Sequence, residues 1–416
     1  MESGLKTDRA KPSLRDYADI VGPCVIDELK FIADKLKGKS IQHVSSLSSL
    51  SEAAETLNRI VPLLKDIGLD ASWDIIDVDS EFSDITKKFH NALCSKDENI
   101  ADNDFENYIQ ASEHNIRKIK LRGDTIFIHD HQPLALIGKR KDIKSKWVWR
   151  CHMDVSSPDE RVWEFLTTFI EGYDAAVFSS PKFTKALSIP QFLVCPAIDP
   201  LSEKNRPLGA SEIDNVLYKY GIEKNKPIIC QISRYDYLKD PVGVIETFKL
   251  VRKHVDCQLV LAGAKSIDDS ETERVLSEVK RSARGMPDVH ILLLEERSDI
   301  EINALQRASA VIIQKSIKEG FALTVTEALW KEKAVVASAV GGIPLQIKHK
   351  YSGLLCHSIE AAAMQLRQLL NNPEYARRLG ANGKIHVMKN FLLTRLMREH
   401  MLVALALEHE GDIINL

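Results

Sequence analysis

The sequence predicts an α/β protein made of two Rossmann-like domains with a cleft between them. Apolar runs of strand length alternate with segments of helical periodicity, and this alternation occurs in both halves of the chain. A length of 416 residues is too great for one ordinary core. The segment 196–207 holds three prolines and mostly polar neighbours, which is typical of a linker. We therefore expect an N-terminal domain at 1–200 and a C-terminal domain at 201–390.

The strands and helices of the first half follow from this alternation. After a polar lead, residues 26–36 are amphipathic, and Leu57, Ile60 and Leu64 lie on one face of a later helix. Helices that separate strands imply a parallel, doubly wound sheet. The apolar runs predict strands at 40–44, 72–78, 125–128, 147–151, 175–178 and 192–195.

The second half repeats the pattern. Asp240 as N-cap, with Pro241 at the first helical position, makes a well-defined helix start. The last helical pattern, 391–407, has no strand after it, so we expect the segment 391–416 to cross back to the first domain. The predicted strands are 227–232, 258–262, 289–294, 310–314 and 334–338. The predicted helices are 241–254, 270–284, 300–308 and 323–331.

Composition limits the partners and the compartment. The chain has 56 basic and 59 acidic residues, and a net charge of −3 argues against bulk binding to nucleic acid or anionic membrane. Its longest apolar run is short of a membrane span, and residues 1–12 lack the apolar core of a signal peptide. The seven cysteines are scattered without paired CxxC spacing, which suits a reducing compartment. We expect a cytoplasmic protein whose partners are small molecules.

Two segments of the second half predict a site for an anionic, hydroxyl-rich ligand such as a sugar nucleotide. Arg234 and Lys239 lie on one loop after an apolar run, and such cations can stabilise a departing diphosphate without a metal. Glu319 precedes a helix start and can accept hydrogen bonds from sugar hydroxyls, while Glu327 can hold a ribose diol. The alternative is two solvated surface cations and two ordinary helix glutamates. A nicotinamide enzyme is a poor alternative, because no GxGxxG follows a predicted strand.

Histidines and an aspartate follow strands of the first half. His129, Asp130 and His131 follow one predicted strand and His152 follows the next, so they could hold hydroxyls across the cleft. A metal site from His129, His131 and His152 is conceivable, since imidazole is a good ligand. No recognised metal spacing supports that site, and we predict none. A histidine at a strand end is more often structural.

Taken together, these motifs resemble the retaining glycosyltransferases of GT-B fold. The first half resembles, within that group, the trehalose glycosyltransferring synthases. The likeness runs from about residue 15 to about residue 400. The second-half motifs are Ser233-Arg234, Lys239-Asp240-Pro241, Glu319-Gly320-Phe321, Thr326-Glu327-Ala328 and Gly341-Gly342-Ile343-Pro344. The first-half motifs include His43-Val44-Ser45-Ser46, His129-Asp130-His131-Gln132-Pro133, Arg150-Cys151-His152-Met153-Asp154 and Asp199-Pro200-Leu201-Ser202-Glu203-Lys204-Asn205.

The resemblance implies an activity and a donor site. The family joins glucose from a nucleoside-diphosphate glucose to free glucose, which gives trehalose, and the reaction can run in reverse. The nucleoside-diphosphate glucose is a co-substrate, no cofactor is tightly bound, and a divalent ion is not required. Arg234 and Lys239 are implied to hold the diphosphate. Glu319, with the backbone of Gly320 and Phe321, is implied to hold the donor glucose.

The resemblance also implies the remaining roles. Glu327 would bind the ribose, His152 would face the donor sugar at the reacting centre, and Asp130 would contact acceptor or donor hydroxyls. Retention is explained in this family by attack on the same face of the sugar, with the acceptor proton passing to the departing phosphate. Positioning and electrostatics would then supply the catalysis. A homodimer is usual for the enzymes that the chain resembles.

One stretch departs from the family pattern. The family has a glycine-rich loop after the first strand, and its three glycines fall here on Leu50, Ser51 and Glu52. Ser49 and Glu52 have the spacing of a capping box, so a helix can start there. Side chains on this loop would crowd a ligand, and Glu52 would place negative charge near a diphosphate. His131 is a milder change, because the family has proline there.

These changes keep two further functions open. One is a related retaining glycosyltransferase with a different acceptor. The other is a non-catalytic paralogue that binds a sugar nucleotide or only a protein partner. The intact Arg234, Lys239 and Glu319 favour an enzyme, whereas the missing glycines favour one of the alternatives to trehalose synthesis.

Replacing Leu50, Ser51 and Glu52 by glycine should raise the rate of glucose transfer from a nucleoside-diphosphate glucose to glucose. The physical reason is that glycine lets the backbone approach the donor and removes a negative charge. Steady-state turnover and donor affinity measure the effect. If both stay unchanged, the loop does not limit the reaction.

Overall fold

Two parallel sheets form the framework of the protein. The computed structural model describes residues 12–46, 52–94, 98–264, 270–295 and 298–409. The strands of the first sheet are β1 Ser40–Ser46, β2 Asp70–Ile76, β3 Thr125–His129, β4 Lys146–Cys151, β5 Ala175–Phe178 and β6 Gln191–Leu193. Those of the second are β7 Ile228–Ile232, β8 Gln258–Ala264, β9 Val289–Leu294, β10 Val311–Gln314, β11 Ala334–Ser338 and β12 Leu354–Cys356. The strand orders are β2-β1-β3-β4-β5-β6 and β12-β11-β10-β7-β8-β9.

Helices connect most of the strands and cover both sheets. The first-half helices are α1 Ala18–Val21, α2 Pro23–Lys35, α3 Glu52–Asp66, α4 Ser80–Leu93, α5 Asp102–Lys118 and α6 Glu160–Ile170. The second-half helices are α7 Ala210–Lys219, α8 Pro241–Arg252, α9 Ser270–Ser282, α10 Asp299–Ala308, α11 Leu323–Trp330, α12 Ile343–Gln346, α13 Ile359–Leu370, α14 Pro373–Asn390 and α15 Leu393–Glu408. Short 3₁₀ helices lie at Leu14–Tyr17, Leu134–Lys141, Pro181–Phe183 and Tyr237–Lys239.

Each sheet is buried on both faces, as parallel sheets usually are. On β3, Phe127 packs in the hydrophobic cluster that contains Leu29 of α2. Its neighbours Ile126 and Ile128 pack in the cluster on the other face, which contains Phe89 of α4. This alternation follows from the two-residue period of a strand. Helices on both faces therefore leave only the edges of the sheet for ligands.

The strands predicted from apolar runs are all present, with ends that differ by no more than two residues. β12 is the strand that the sequence pattern does not reveal. It contains only Leu354–Cys356 and lies at the edge of the second sheet, paired with β11. A run of three residues carries too little periodicity to be distinguished from a loop.

Strand order reverses once in each sheet. In the first sheet the chain runs outward from β1 to β2 on one side and from β3 to β6 on the other, so the reversal lies between β1 and β3. In the second sheet it lies between β7 and β10. Ligands of such sheets bind in the crevice beyond the carboxyl ends of the strands at these points. The predicted site residues follow β3, β4, β7 and β10, which places them at these edges.

The segment 196–207, which the sequence predicts to be a linker, is packed rather than solvated. Asn205 is 2% exposed, and its amide donates hydrogen bonds to the carbonyl oxygen of Asp199 and to Ser202 Oγ. Ile198 N donates to Phe391 O over 2.9 Å, and Leu393 N donates to Ile198 O over 3.0 Å. The two crossings between the halves therefore run side by side and support each other.

The last helix returns to the first domain. Leu396, Met397 and Met401 of α15 are buried in the same cluster as Leu29 and Ile32 of α2. Ion pairs at the rim of this contact join Arg398 to Glu28 over 2.6 Å and Lys39 to Glu408 over 2.6 Å. Helix α15 therefore belongs to the core of the first domain, although it follows the second in sequence. The boundaries 1–200, 201–390 and 391–416 themselves stay a prediction.

Candidate active site

The two domains meet at the candidate site through backbone atoms. A Cβ placed on Gly320 would lie 2.5 Å from the carbonyl oxygen of His152 and 3.8 Å from Asp154 N. The first distance is shorter than any side chain tolerates, so only glycine fits there. The loop after β10 and the loop after β4 can therefore touch across the cleft.

A second glycine turn supports the Gly320 loop from behind. Gly341 has a φ of +53°, and a Cβ on it would lie 1.6 Å from the carbonyl oxygen of Glu319. Gly342 N donates to Gly320 O over 3.0 Å. For the Gly341-Gly342 pair the sequence alone favours a plain turn over a close approach to a ligand. In the structure this turn packs against the backbone that carries Glu319.

Lys239 and Glu319 contact each other directly. Lys239 Nζ lies 2.5 Å from Glu319 Oε1, and Ser316 Oγ donates to Glu319 Oε2 over 2.9 Å. Glu319 is 8% exposed, so its carboxylate needs such partners. The family resemblance implies that Lys239 binds the diphosphate and that Glu319 binds the donor glucose. Because the two side chains are in contact, a phosphate bound by Lys239 and a sugar bound by Glu319 would lie next to each other.

Arg234 lies on the more open side of the same loop. Its side chain is 58% exposed, and Nη2 donates to Asp236 Oδ2 over 3.1 Å. Burial lowers the pKa of His90 on α4 to about 3, with added effect from the charges of His131, Arg234 and Lys239. Both cations therefore lie close to α4 of the first domain. Lys239 contacts Glu319 directly, whereas the predicted place of Arg234 in the same crevice stays a prediction.

Glu327 is bridged to the first domain by a lysine. Lys204 Nζ lies 3.7 Å from Glu327 Oε1 and 2.8 Å from both carboxylate oxygens of Glu55 on α3. Glu327 is 4% exposed, and burial raises the pKa of its carboxyl. Burial alone would lower the pKa of Lys204, but the charges of Glu327 and Glu55 raise it above its ordinary value. Lys204 is therefore protonated, and it lies between two carboxylates.

Asp130 holds the backbone of His152. It adopts a φ of 63°, and its Oδ1 accepts a hydrogen bond from His152 N over 2.8 Å. Left-handed backbone of this kind is unusual outside glycine and is typical of a constrained site. Asp130 therefore positions the predicted reacting-centre residue whatever else it contacts.

The histidines of the first domain separate into two groups. His129 lies between His43 and His152, with ring nitrogens 3.0 Å from each. His131 Nε2 instead lies 2.8 Å from the carbonyl oxygen of Thr86. The trio considered for a metal is thus divided. Within the described ranges no group of three or more His, Cys, Asp or Glu side chains is arranged to hold a metal ion.

The rewritten loop falls mostly outside the described residues. Leu50 and Ser51 lie outside them, and Glu52 is the first residue of α3 as described, without a described side chain. The predicted capping box pairs Glu52 with Ser49, which also lies outside the described residues, so it stays a prediction. The effect of Glu52 on a ligand stays a prediction as well.

Some residues of the site were not found from the sequence as functional candidates. They are His43, Lys204 and Ser316, and the first two contact partners far away in the chain. His43 and Lys204 fall inside motifs that carry the family resemblance, which was the available signal. Ser316 lies three residues before Glu319, and that spacing alone is uninformative.

Comparison with known proteins agrees with this geometry. A family model described as "Trehalose synthase, N-terminal domain" matches residues 43–185, and one described as "Glycosyl transferases group 1" matches residues 213–386. The trehalose synthase of Pyrococcus horikoshii is 40% identical over 402 residues, which cover 94% of this chain and 95% of the relative. The chain belongs to the trehalose synthase family.

A second relative and a solved structure extend the comparison. The trehalose synthase of Rubrobacter xylanophilus is 38% identical over 399 residues, which cover 94% of this chain and 95% of the relative. The UDP-forming α,α-trehalose-phosphate synthase of Burkholderia xenovorans has a TM-score of 0.70 at 14% identity, covering 88% of this chain and 98% of that one. The predicted GT-B fold is confirmed, and this member of the trehalose synthase family is a glycosyltransferase. Over the described parts of the chain, no helix has both the length and the apolar character needed to cross a membrane.

Gly320→Ala should lower the transfer rate of this family member by about 10-fold or more, because a Cβ against His152 O would push the two loops apart. Turnover with saturating donor measures the loss, and the thermal midpoint shows whether the variant still folds. Gly209→Ala is the matched control, since its Cβ would have no neighbour closer than 3.7 Å. Equal activity of the two variants would show that the close contact is not required.

Acid should destabilise the protein steeply. Burial lowers the pKa of eight described histidines below the ordinary value of 6.5: His43, His90, His129, His131, His152, His290, His349 and His400. Below pH 6.5 the unfolded chain therefore binds more protons than the folded one, so the free energy of unfolding falls as pH falls. Each such histidine apart from the exposed His349 contributes up to about 1.4 kcal/mol per pH unit. For His131 this range ends at its folded pKa of about 4.

Urea unfolding at several pH values between 7.5 and 5 measures that slope. His131→Gln should reduce the slope, because it removes one of the protons that the unfolded chain binds and the folded chain does not. His114→Gln changes a histidine whose side chain is 65% exposed and serves as the control. A slope that does not respond to His131→Gln contradicts the assignment of that residue as a neutral buried group.

Proposed function

We propose that the protein is a retaining glucosyltransferase that makes trehalose from a nucleoside-diphosphate glucose and free glucose, and that the reaction is reversible. The observation that carries the proposal is the contact of Lys239 with Glu319 at the strand-order reversal of the second sheet. A cation for phosphate and an acceptor for hydroxyls lie there side by side, as a nucleotide sugar requires. The family membership of the chain supports the same reaction.

Donor binding would exchange the partners of this ion pair. The diphosphate offers Lys239 a new anion, and the glucose hydroxyls offer Glu319 new hydrogen-bond donors. Ser316 can keep its hydrogen bond to the second carboxylate oxygen during the exchange. Arg234, exposed on the same loop, would close over the phosphates from outside. The backbone of Gly320 and Phe321 would line the sugar, and Glu327 would take the ribose.

Developing charge is the second requirement of the reaction. As the bond between C1 of glucose and the phosphate oxygen breaks, negative charge grows on the diphosphate, where Arg234 and Lys239 would stabilise it. The acceptor hydroxyl forms its bond to C1 on the same face and passes its proton to the departing phosphate oxygen. Atoms and charge balance without an enzyme nucleophile. Positioning of the two sugars then supplies the remaining catalysis.

The first domain would position the sugars with a neutral imidazole and a carboxyl group. Burial lowers the pKa of His152 to about 4, so its imidazole is neutral at pH 7. A neutral imidazole can hydrogen-bond a donor hydroxyl without competing with the cations for the diphosphate. Asp130, which fixes the His152 backbone, is proposed to contact acceptor or donor hydroxyls as well.

A different acceptor remains the second candidate, because the sequence replaces the family glycines at Leu50, Ser51 and Glu52. These positions follow β1 in the sequence, within the domain that is predicted to bind the acceptor. The proposed homodimer and the independence from divalent ions rest on the resemblance alone and stay predictions.

Incubation with UDP-, ADP- and GDP-glucose, with and without glucose, tests the proposal directly. Trehalose formed only when glucose is present is the expected product, resolved by chromatography against standards. Donor hydrolysis without a disaccharide would favour another acceptor. Donor binding without turnover, or no binding, would favour a non-catalytic protein. EDTA added to the reaction tests the requirement for a divalent ion.

Lys239→Ala should lower turnover about 10²- to 10³-fold, because it removes a cation from the departing diphosphate. It also leaves the buried Glu319 carboxylate without its cation, so the thermal midpoint must be measured in parallel. The double variant Lys239→Ala, Glu319→Gln removes the unpaired charge and should remain inactive. Lys224→Ala is the control, since this lysine is 64% exposed and pairs with Asp214 on the surface. Full activity in the folded double variant contradicts the donor site.

A further inference from the structure

The segment 196–207, which joins the two halves of the chain, carries a cation to the candidate site. Lys204 lies in the family motif 199–205 of this segment, and its side chain is 14% exposed. Its Nζ is 2.8 Å from both carboxylate oxygens of Glu55 on α3 and 3.7 Å from Glu327 Oε1 on α11. One ammonium group therefore pairs with a carboxylate from each domain.

The backbone on both sides of Lys204 is fixed by helix α10. Asn303 Nδ2 donates a hydrogen bond to the carbonyl oxygen of Glu203 over 2.8 Å. Arg307 Nη2 donates one to the carbonyl oxygen of Asn205 over 3.1 Å. The residues before and after Lys204 are thus anchored to the second domain. The lysine side chain therefore starts from a fixed point, and few of its conformations can reach Glu55.

The two contacts of Lys204 differ in kind. The distance to Glu55 is that of a charge-assisted hydrogen bond, whereas 3.7 Å from Glu327 is an ion pair without a hydrogen bond. Among the described residues, none donates a hydrogen bond to the Glu327 carboxylate, although Glu327 is only 4% exposed. Its oxygens therefore keep their capacity to accept hydrogen bonds from a ligand, and a ribose diol offers two donors.

The charge of Lys204 opposes the effect of burial on Glu327. Burial raises the pKa of the Glu327 carboxyl, the charges of Lys204 and Lys331 lower it, and those of Glu55 and Asp299 raise it again. Without Lys204, only Lys331 would oppose burial and the two acidic neighbours, so the protonated form of the carboxyl would be favoured. Hydroxyl groups donate stronger hydrogen bonds to a carboxylate than to a neutral carboxyl group.

We propose that Lys204 is a positioning residue for the ribose of the donor, held by Glu55 beside the Glu327 carboxylate but outside hydrogen-bond distance of it. The ammonium group stabilises the carboxylate and leaves its oxygens to the 2′- and 3′-hydroxyls of the ribose. The proposal rests on the proposed function for the ribose role of Glu327 and deepens it. Because Glu55 belongs to the first domain and Glu327 to the second, ribose recognition then requires both domains.

Glu55 determines where the ammonium group lies. Among the described carboxylates, Glu327 is the other one within ion-pair distance of Lys204. If Glu55 were uncharged, a shift of about 1 Å would bring Nζ within hydrogen-bond distance of Glu327 Oε1. The lysine would then compete with the ribose for that oxygen. Glu55→Gln should therefore weaken ribose recognition even though the cation beside Glu327 is kept.

Isothermal titration calorimetry with a nucleoside diphosphate and its 2′-deoxy form tests the proposal. UDP, ADP and GDP are compared first, and the one that binds most tightly is used with its 2′-deoxy form. The wild-type protein should bind the ribose form about 10-fold or more tightly, because the deoxy form lacks one hydrogen bond to a charged carboxylate. Lys204→Met should reduce this preference to about 3-fold or less, and Lys204→Arg, which keeps the cation, should restore most of it. A lysine with only a structural role would weaken both nucleotides alike.

Lys39→Met is the matched control, since it removes another lysine ion pair, that with Glu408 over 2.6 Å, at the amino end of β1. It should leave the preference unchanged. If Lys204→Met does not fold, Glu55→Gln gives the same comparison at a side chain that is 47% exposed.

The outcomes separate this proposal from the proposed function. A wild-type protein that binds both nucleotides alike, or an unchanged preference in the folded Lys204→Met and Glu55→Gln variants, would overturn the role of Lys204. Trehalose synthesis by the wild-type protein would leave the proposed function intact in either case. If the preference depends on Lys204 but no trehalose forms, the proposed function alone fails. If the wild-type protein binds no nucleoside diphosphate, both fail.

Discussion

The close backbone contact between Gly320 and His152 is the constraint on which the site depends. Each domain is built around its own sheet, and its candidate functional loops project from one edge of that sheet only. A cleft becomes a site when these edges come within reach of one small ligand. The absence of a side chain at Gly320, and the positive φ of Gly341 behind it, let the loop after β10 touch the loop after β4. A Cβ at either position would displace Glu319 together with its backbone.

Charged side chains at the candidate site are paired with one another. Glu319 has Lys239, and Lys204 lies between Glu55 and Glu327. Buried carboxylates without such partners would be costly, so the pairs stabilise the cleft when no ligand is present. A ligand with its own anion and its own hydroxyls could exchange partners with these pairs. A diphosphate sugar can replace both partners of Lys239 and Glu319 at once, which neither an anion nor a neutral sugar can do alone.

The sequence predicted the elements of the fold better than their contacts. Strand positions depend on local apolar runs, and those runs were visible along the whole chain apart from the three residues of β12. The burial of Asn205 was not visible, because a proline-rich polar segment looks the same whether it is solvated or packed. The residue types of the proposed donor site were also predictable, since motifs report residue types. That Lys239 touches Glu319 and that Lys204 joins Glu327 are facts of tertiary structure, and 80 or more positions separate each pair in the chain.

The two sheets carry their candidate functional groups at equivalent places, near the reversals of strand order. The groups differ in charge. At the reversal between β7 and β10, side chains with full charges lie in contact, and they can exchange partners with a ligand. Around the reversal between β1 and β3, neutral imidazoles lie within hydrogen-bond distance of one another. Charged groups lie near them as well, because Asp130 raises and Arg150 lowers the pKa of His152. Burial nevertheless keeps the imidazole of His152 neutral, so it would leave the proposed diphosphate to Arg234 and Lys239 and could hydrogen-bond the sugar.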